Sequence, residues 1–73
     1  MSKLPQISGR KCVSALQKIG FYVVRQRGSH ITMRRDEPRT RVVIPNHKTI
    51  KKGMLRQIIK DADLEVDEFI KLL

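Results

Sequence analysis

The spacing between apolar residues changes twice along this chain, and those changes constrain the fold more than any single motif. Cys12, Val13, Leu16 and Ile19 recur at helical spacing. Ser8 stands ahead of them as an N-cap, and Gly20 closes the run where helices commonly turn left-handed, so a helix is predicted over residues 8–19. The period then shortens. Phe21 to Arg27 is rich in aromatic and β-branched residues and meets Gly28-Ser29, a dipeptide suited to a type II′ hairpin turn. A second strand from His30 to Arg35 follows. Asp36-Glu37-Pro38 is a turn because Pro38 lacks an amide donor and biases Glu37 away from helix, and the chain returns through Arg41 to Ile44 as a third strand.

Helical spacing then resumes with Met54, Leu55, Ile58, Ile59 and Ala62 on one face. A last short helix has Asp67 and Glu68 in its first turn, where the macrodipole favours acids, and Val66, Phe69, Ile70 and Leu73 on its apolar side. The order α-β-β-β-α(-α) predicts an α+β two-layer sandwich: a three-stranded antiparallel sheet with helices on one face and the other face open. At 73 residues there is no room for a second core, so residues 1–73 are read as one domain. A domain this small has little stability to spare and often gains from a partner.

Charge narrows the class of partner. Sixteen Lys and Arg against seven Asp and Glu give +9 and a pI near 10.5, which points to a polyanion, nucleic acid first and an anionic membrane second. Residues 1–60 carry 15 basic residues against Asp36 and Glu37, or +13, whereas residues 61–73 carry five acids against Lys71, or −4. The acidic tail is therefore expected to stay off the polyanion and to close the core or face a protein. Phe21 to Val24 is the longest apolar run, too short for a bilayer span or a signal-peptide core, so a cytosolic protein is expected. The single cysteine, Cys12, allows neither an intrachain disulfide nor a cysteine-based zinc site, and is read as a small buried hydrophobe.

Alternation along the second strand identifies the open face. If Ile31 and Met33 meet the helices, then His30, Thr32 and Arg34 face solvent. His30 follows the hairpin turn, close in sequence to Arg25 and Arg27, and a paired third strand is expected to bring Arg41 near it. An accessible imidazole among cations is a candidate general acid or base on a phosphodiester, because imidazole ordinarily exchanges its proton around neutrality. The plainer reading is an exposed histidine at a strand start. Lys48, Lys51 and Lys52 precede or open the second long helix, where backbone amides already favour phosphate, and are candidates for nucleic-acid backbone contact. Arg34, Arg35, Arg39 and Arg41 are expected to complete a cationic rim around the 36–38 turn. Phe21 and Tyr22 must point to opposite faces, one into the core and the other either packed at the edge of the core, the commoner fate, or free to stack on a base. His47, in the loop after the third strand, is read first as a solvated loop histidine and second as a partner for His30. No metal site is expected, because the two histidines have no ligand-like spacing with the carboxylates.

Leu16, Ile19, Gly20 and Phe21, then Arg25-Gln26 leading into Gly28-Ser29-His30, then Val43-Ile44-Pro45 with Asn46-His47, then Lys52-Gly53-Met54-Leu55-Arg56-Gln57-Ile58-Ile59 and the ending Ala62, Leu64, Asp67-Glu68-Phe69 follow one another in a familiar order. In this order and spacing the chain resembles the HicA-type mRNA interferase toxins of bacterial and archaeal toxin-antitoxin pairs. The resemblance implies a double-stranded-RNA-binding-domain-like fold and a metal-independent ribonuclease, with no cofactor, that arrests growth by cutting messenger RNA. It puts the catalytic histidine of the Gly-Ser-His motif on His30, with Ser29 beside it, and implies a cognate HicB-type antitoxin that covers this surface. Two positions depart from the pattern: Ile31 stands where many members have a histidine or another polar residue, and Lys51 where many have proline.

Two other readings compete with a ribonuclease. A non-catalytic binder of structured RNA on the same fold would need the lysines but not His30. A protein-complex module would use the acidic tail and an open sheet edge to take up a partner.

Overall fold

The computed structural model describes residues 3–73; Met1 and Ser2 of the expected 1–73 domain lie outside the described residues. The chain forms α1 (Gly9–Gln17), β1 (Tyr22–Arg27), β2 (His30–Asp36), β3 (Arg39–Pro45), α2 (Lys52–Asp61) and α3 (Val66–Ile70). The strands make one antiparallel sheet in the order β1-β2-β3. This is the α+β arrangement the apolar periods predict.

Local chemistry sets the ends of α1. The Ser8 side chain accepts a hydrogen bond from the Lys11 amide at 3.1 Å, satisfying one of the donors that a helix start leaves unpaired. At the other end Gly20 adopts φ 97°, its amide donates to the Gln17 carbonyl, and the Phe21 amide donates to the Leu16 carbonyl. That pair of bonds is a Schellman closure, and it delivers Phe21 to the core beside Leu16. Gly28 turns the first hairpin at φ 54° and Ser29 keeps a negative φ, as a type II′ turn requires.

Among the described residues, fifteen apolar side chains form one core between the sheet and the helices. Ile31 and Met33 from β2, Val42 and Ile44 from β3, Leu16 from α1, Leu55, Ile58 and Ile59 from α2 and Phe69 from α3 are all buried. Phe69 is fully enclosed, so the acidic tail does close the core. A Glu65–Glu68 capping box starts α3, with Asp67 and Glu68 in its first turn. Cys12 is also fully enclosed, and burial pushes its thiol up to about 12, which keeps it protonated and inert. Phe21 is buried and Tyr22 is exposed, as adjacent extended residues must be.

The strand β1 is exposed along its whole length, and its register shifts between Val23 and Arg25, leaving Val24 without a cross-strand partner. This bulge matters for the open face. Strict alternation would put Tyr22 and Arg25 on opposite sides, but the extra residue resets the count. Tyr22 pairs with Arg34, Arg25 with Thr32 and Arg27 with His30, so all three share the face of His30.

Candidate functional site

His30 is the first residue of β2, directly after the hairpin turn, and is exposed. Its cross-strand partners are Arg27 on β1 and Pro45 on β3. Beyond β3, the outermost strand on this side, a groove of about 630 Å³ runs between the strand and α2. His30, His47 and Lys51 line it together with Arg41, and Val43 and Met54 supply apolar wall.

The groove's histidine end is held by backbone hydrogen bonds. The Asn46 amide donates to the Ser29 carbonyl at 2.6 Å, tying the loop after β3 to the hairpin turn. The Gly9 amide donates to the His47 carbonyl at 2.9 Å, and the Ile50 amide to the Ile7 carbonyl at 2.8 Å. Gly9 is buried against this loop so closely that a Cβ there would overlap the Pro45 carbonyl oxygen and crowd the Asn46 backbone. The start of α1 therefore clamps the segment that carries His47.

The sequence candidates divide into groups. Ser29 contributes its carbonyl to the loop anchor, His30 and Lys51 line the groove, and Lys48 and Lys52 are exposed to either side of Lys51 without lining it. Lys51 stands at the N-cap of α2, whose first turn holds no acid. Arg41 lines the groove too, but it pairs with Arg34 and not with His30, four residues along β3 from Pro45. The expected closeness of Arg41 to His30 is thus corrected to a place at the opposite end of one groove. Arg25, Arg34, Arg39 and Arg41 instead surround a shallow hollow of about 440 Å³ on the open sheet face.

Arg34 is not a free cation. Its Nε donates to the Tyr22 hydroxyl at 3.1 Å and lies 3.4 Å from the Asp36 carboxylate, and the Tyr22 hydroxyl donates to Asp36 at 2.9 Å. The Tyr22 hydrogen bond, then the charges of Tyr22 and Asp36, push the Arg34 guanidinium pKa further up. Tyr22 is thereby engaged at the end of the sheet away from His30. Arg35 also departs from the expected rim: it points to the helix side, with its guanidinium 4.6 Å from the centre of the Phe21 ring. It shares the face of Ile31 and Met33, where its stem packs on apolar surface and the face of the Phe21 ring partly offsets the loss of water around its charge.

Sequence reasoning ranked His47 second as a partner for His30 and missed Gly9. The signal for Gly9 was a glycine in the first turn of a helix, but the close approach that requires it comes from a loop nearly forty positions later. Gly53 goes the other way, since no atom stands within 4 Å of where its Cβ would be, and neither the sheet backbone nor any other element presses on it. Asp61, the first residue of the acidic segment, lines the groove after all and accepts a hydrogen bond from Gln57 at 2.8 Å. Among the described residues no cluster of three or more His, Cys, Asp or Glu side chains is arranged to hold a metal ion, and no helix is long and apolar enough to cross a membrane.

No curated protein matches the chain. A family model described as the HicA toxin of bacterial toxin-antitoxin systems matches residues 9–64, from the glycine that clamps the loop, through the sheet and α2, to the turn before α3. With well over half of its length matched, and with helices and sheet in the expected order, the chain belongs to the HicA toxin family.

Proposed function

We propose that this toxin is an endoribonuclease that cuts messenger RNA in the cytoplasm without a metal ion, and that His30 transfers a proton in the reaction. Membership of the family implies a cognate antitoxin, and we assign that partner to the HicB type. The observation that carries the reading is the setting of His30: an exposed imidazole at the mouth of a groove, with Arg27 opposite it and Lys51 on the facing wall.

RNA supplies its own nucleophile, since the 2′-hydroxyl is held next to the phosphorus it attacks. The protein must remove that proton, stabilise charge on the phosphorane and see the 5′-oxygen protonated as it leaves. Imidazole suits either proton transfer near neutral pH, and general acid-base help of this kind is worth about 10² to 10⁴ in rate. Arginine and lysine side chains that touch the phosphate stabilise the transition state and orient the strand. Arg25, Arg27 and Arg41 on the sheet side and Lys48, Lys51 and Lys52 around the start of α2 take this role. Arg34 contributes less, because Asp36 and Tyr22 already hold it.

The test is cleavage of single-stranded messenger RNA in excess EDTA by wild type and His30→Ala, with binding measured on a 2′-deoxy-substituted strand that cannot be cut. Cleavage by wild type that falls by about 10² to 10⁴ in the variant, with binding and folding intact, is the expected result. Wild type that binds without cutting, or a variant that cuts equally well, would replace the ribonuclease with an RNA-binding module.

A further inference from the structure

Cleavage by the 2′-hydroxyl needs two proton transfers, and His30 supplies at most one of them at a time. We propose that His47 supplies the other, so that the two histidines work as a base and acid pair across one scissile phosphate; this rests on the ribonuclease reading above. Three observations converge on it.

The first is the anchor between the two segments. Ser29 and Asn46 are joined backbone to backbone at 2.6 Å, and each immediately precedes a histidine. The second is the groove itself, which both His30 and His47 line. The third is that both side chains are exposed, and among the described residues neither imidazole is taken up by a side-chain hydrogen bond or ion pair of the kind that holds Arg34. A loop histidine with no constraint would sample many positions. This one sits on a carbonyl fixed by the Gly9 amide, in a segment that Gly9 allows to press against α1.

The other ionisable groups in the groove are Arg41, Lys51 and Asp61. Imidazole is the only side-chain type among them that ordinarily exchanges a proton near neutrality. In the step itself, one neutral imidazole takes the 2′-hydroxyl proton as O2′ bonds to phosphorus. The bond from phosphorus to O5′ breaks, its electron pair stays on O5′, and that oxygen takes a proton from the other, protonated imidazole. The RNA ends as a 2′,3′-cyclic phosphate and a 5′-hydroxyl. The first histidine ends charged and the second neutral, and water restores both. Lys51 stands on the groove wall to neutralise the phosphate between them.

The experiment uses the full chain and an oligoribonucleotide spanning a cleavage site mapped with wild type, made twice: once with the ordinary 5′-oxygen and once with sulfur in its place at the scissile bond. A thiolate leaves without a proton, so the sulfur substrate removes the need for the acid and leaves the need for the base. His47→Ala keeps its loop anchored, because the anchoring atom is the backbone carbonyl; thermal melting and binding to the 2′-deoxy strand check that it does.

On the oxygen substrate both His30→Ala and His47→Ala are expected to be about 10² to 10⁴ slower than wild type. On the sulfur substrate one of the two, the one missing the acid, returns close to the wild-type rate while the other stays slow. A His47→Ala variant as fast as wild type beside a slow His30→Ala overturns the pair and leaves the ribonuclease reading standing. Failure of sulfur to rescue either variant also overturns it, since a group that only binds or positions RNA is not relieved by a better leaving group. Wild type that cuts no messenger RNA, so that no cleavage site can be mapped, brings down the ribonuclease reading and the pair together.

Discussion

The two faces of β2 divide the molecule's work between alternate residues of one strand. Ile31 and Met33 are 6% and 0% exposed under the helices, while His30 and Arg34, on either side of the half-buried Thr32, stand in solvent. The covered face is apolar and depends on shape; among the described residues the open face carries Arg25, Arg27, Arg34, Arg39 and Arg41 against one acid, Asp36, and is strongly cationic. Fold and the proposed activity should therefore be separable by substitutions one residue apart.

Met33→Ala has the largest expected effect. Removing this fully buried side chain costs about 3 kcal/mol, with core truncations of this type spanning roughly 2 to 5. Small domains hold about 5 to 15 kcal/mol in total, and a domain of 73 residues is expected toward the lower end, so the loss would be a large part of the whole. Thr32→Ala, its neighbour on the other face, is expected to change stability by less than about 0.5 kcal/mol. Urea unfolding of both variants decides it. Equal destabilisation by the two would break the division between the faces.

Gly9 is where the faces meet, since it touches the core side through α1 and the histidine groove through the loop after β3. Gly9→Ala forces the Pro45 carbonyl and the Asn46 backbone away from the helix, at a cost of about 1 to 3 kcal/mol. It should also slow cleavage beyond its effect on the folded fraction, because the displaced segment carries His47. Gly53→Ala is the control: its site is open, and the substitution should leave both stability and cleavage within a few-fold of wild type. Thermal melts set beside single-turnover rates separate the two effects. A Gly9 variant that melts early but cuts normally per folded molecule would confine the clamp to stability.

How much of this was legible depends on the range of the interaction that fixes each residue. The Ser8 cap, the Gly20 closure, the Gly28-Ser29 turn and the inward pair Ile31 and Met33 follow from neighbours within a few positions, and each is where local chemistry puts it. The bulge at Val24 is set by pairing with β2, and nothing in the run Tyr22–Arg27 announces which residue will be left over. Arg41 missed His30 for a related reason: register, not sequence proximity to a turn, decides which arginine sits opposite which residue. Arg35 could have been placed by continuing the alternation of Ile31 and Met33, but its charge argued for solvent and the Phe21 ring answered that argument. The anchor that brings His30 and His47 to one groove is a contact between segments 17 positions apart, so the sequence offered His47 only as a second reading.

The smallest expected effect concerns which arginines of the open face touch RNA. Each phosphate contact on a single strand contributes about 0.7 to the slope of log affinity against log salt, through release of the counterion it replaces. Arg25 and Arg27 share the face of His30 and make no ion pair among the described residues, so the double variant Arg25→Ala with Arg27→Ala should lower that slope by about 1.4. Arg34→Ala should lower it by much less, because the guanidinium already answers Asp36 and Tyr22 and a phosphate would have to compete with both. Binding to the uncleavable strand across a salt series measures the three slopes. An Arg34 effect as large as one of the other arginines would mean that RNA displaces the Asp36 pair, and would extend the RNA path along the whole sheet; slopes unchanged in the double variant would move the phosphates off the sheet and onto Lys48, Lys51 and Lys52 around the start of α2.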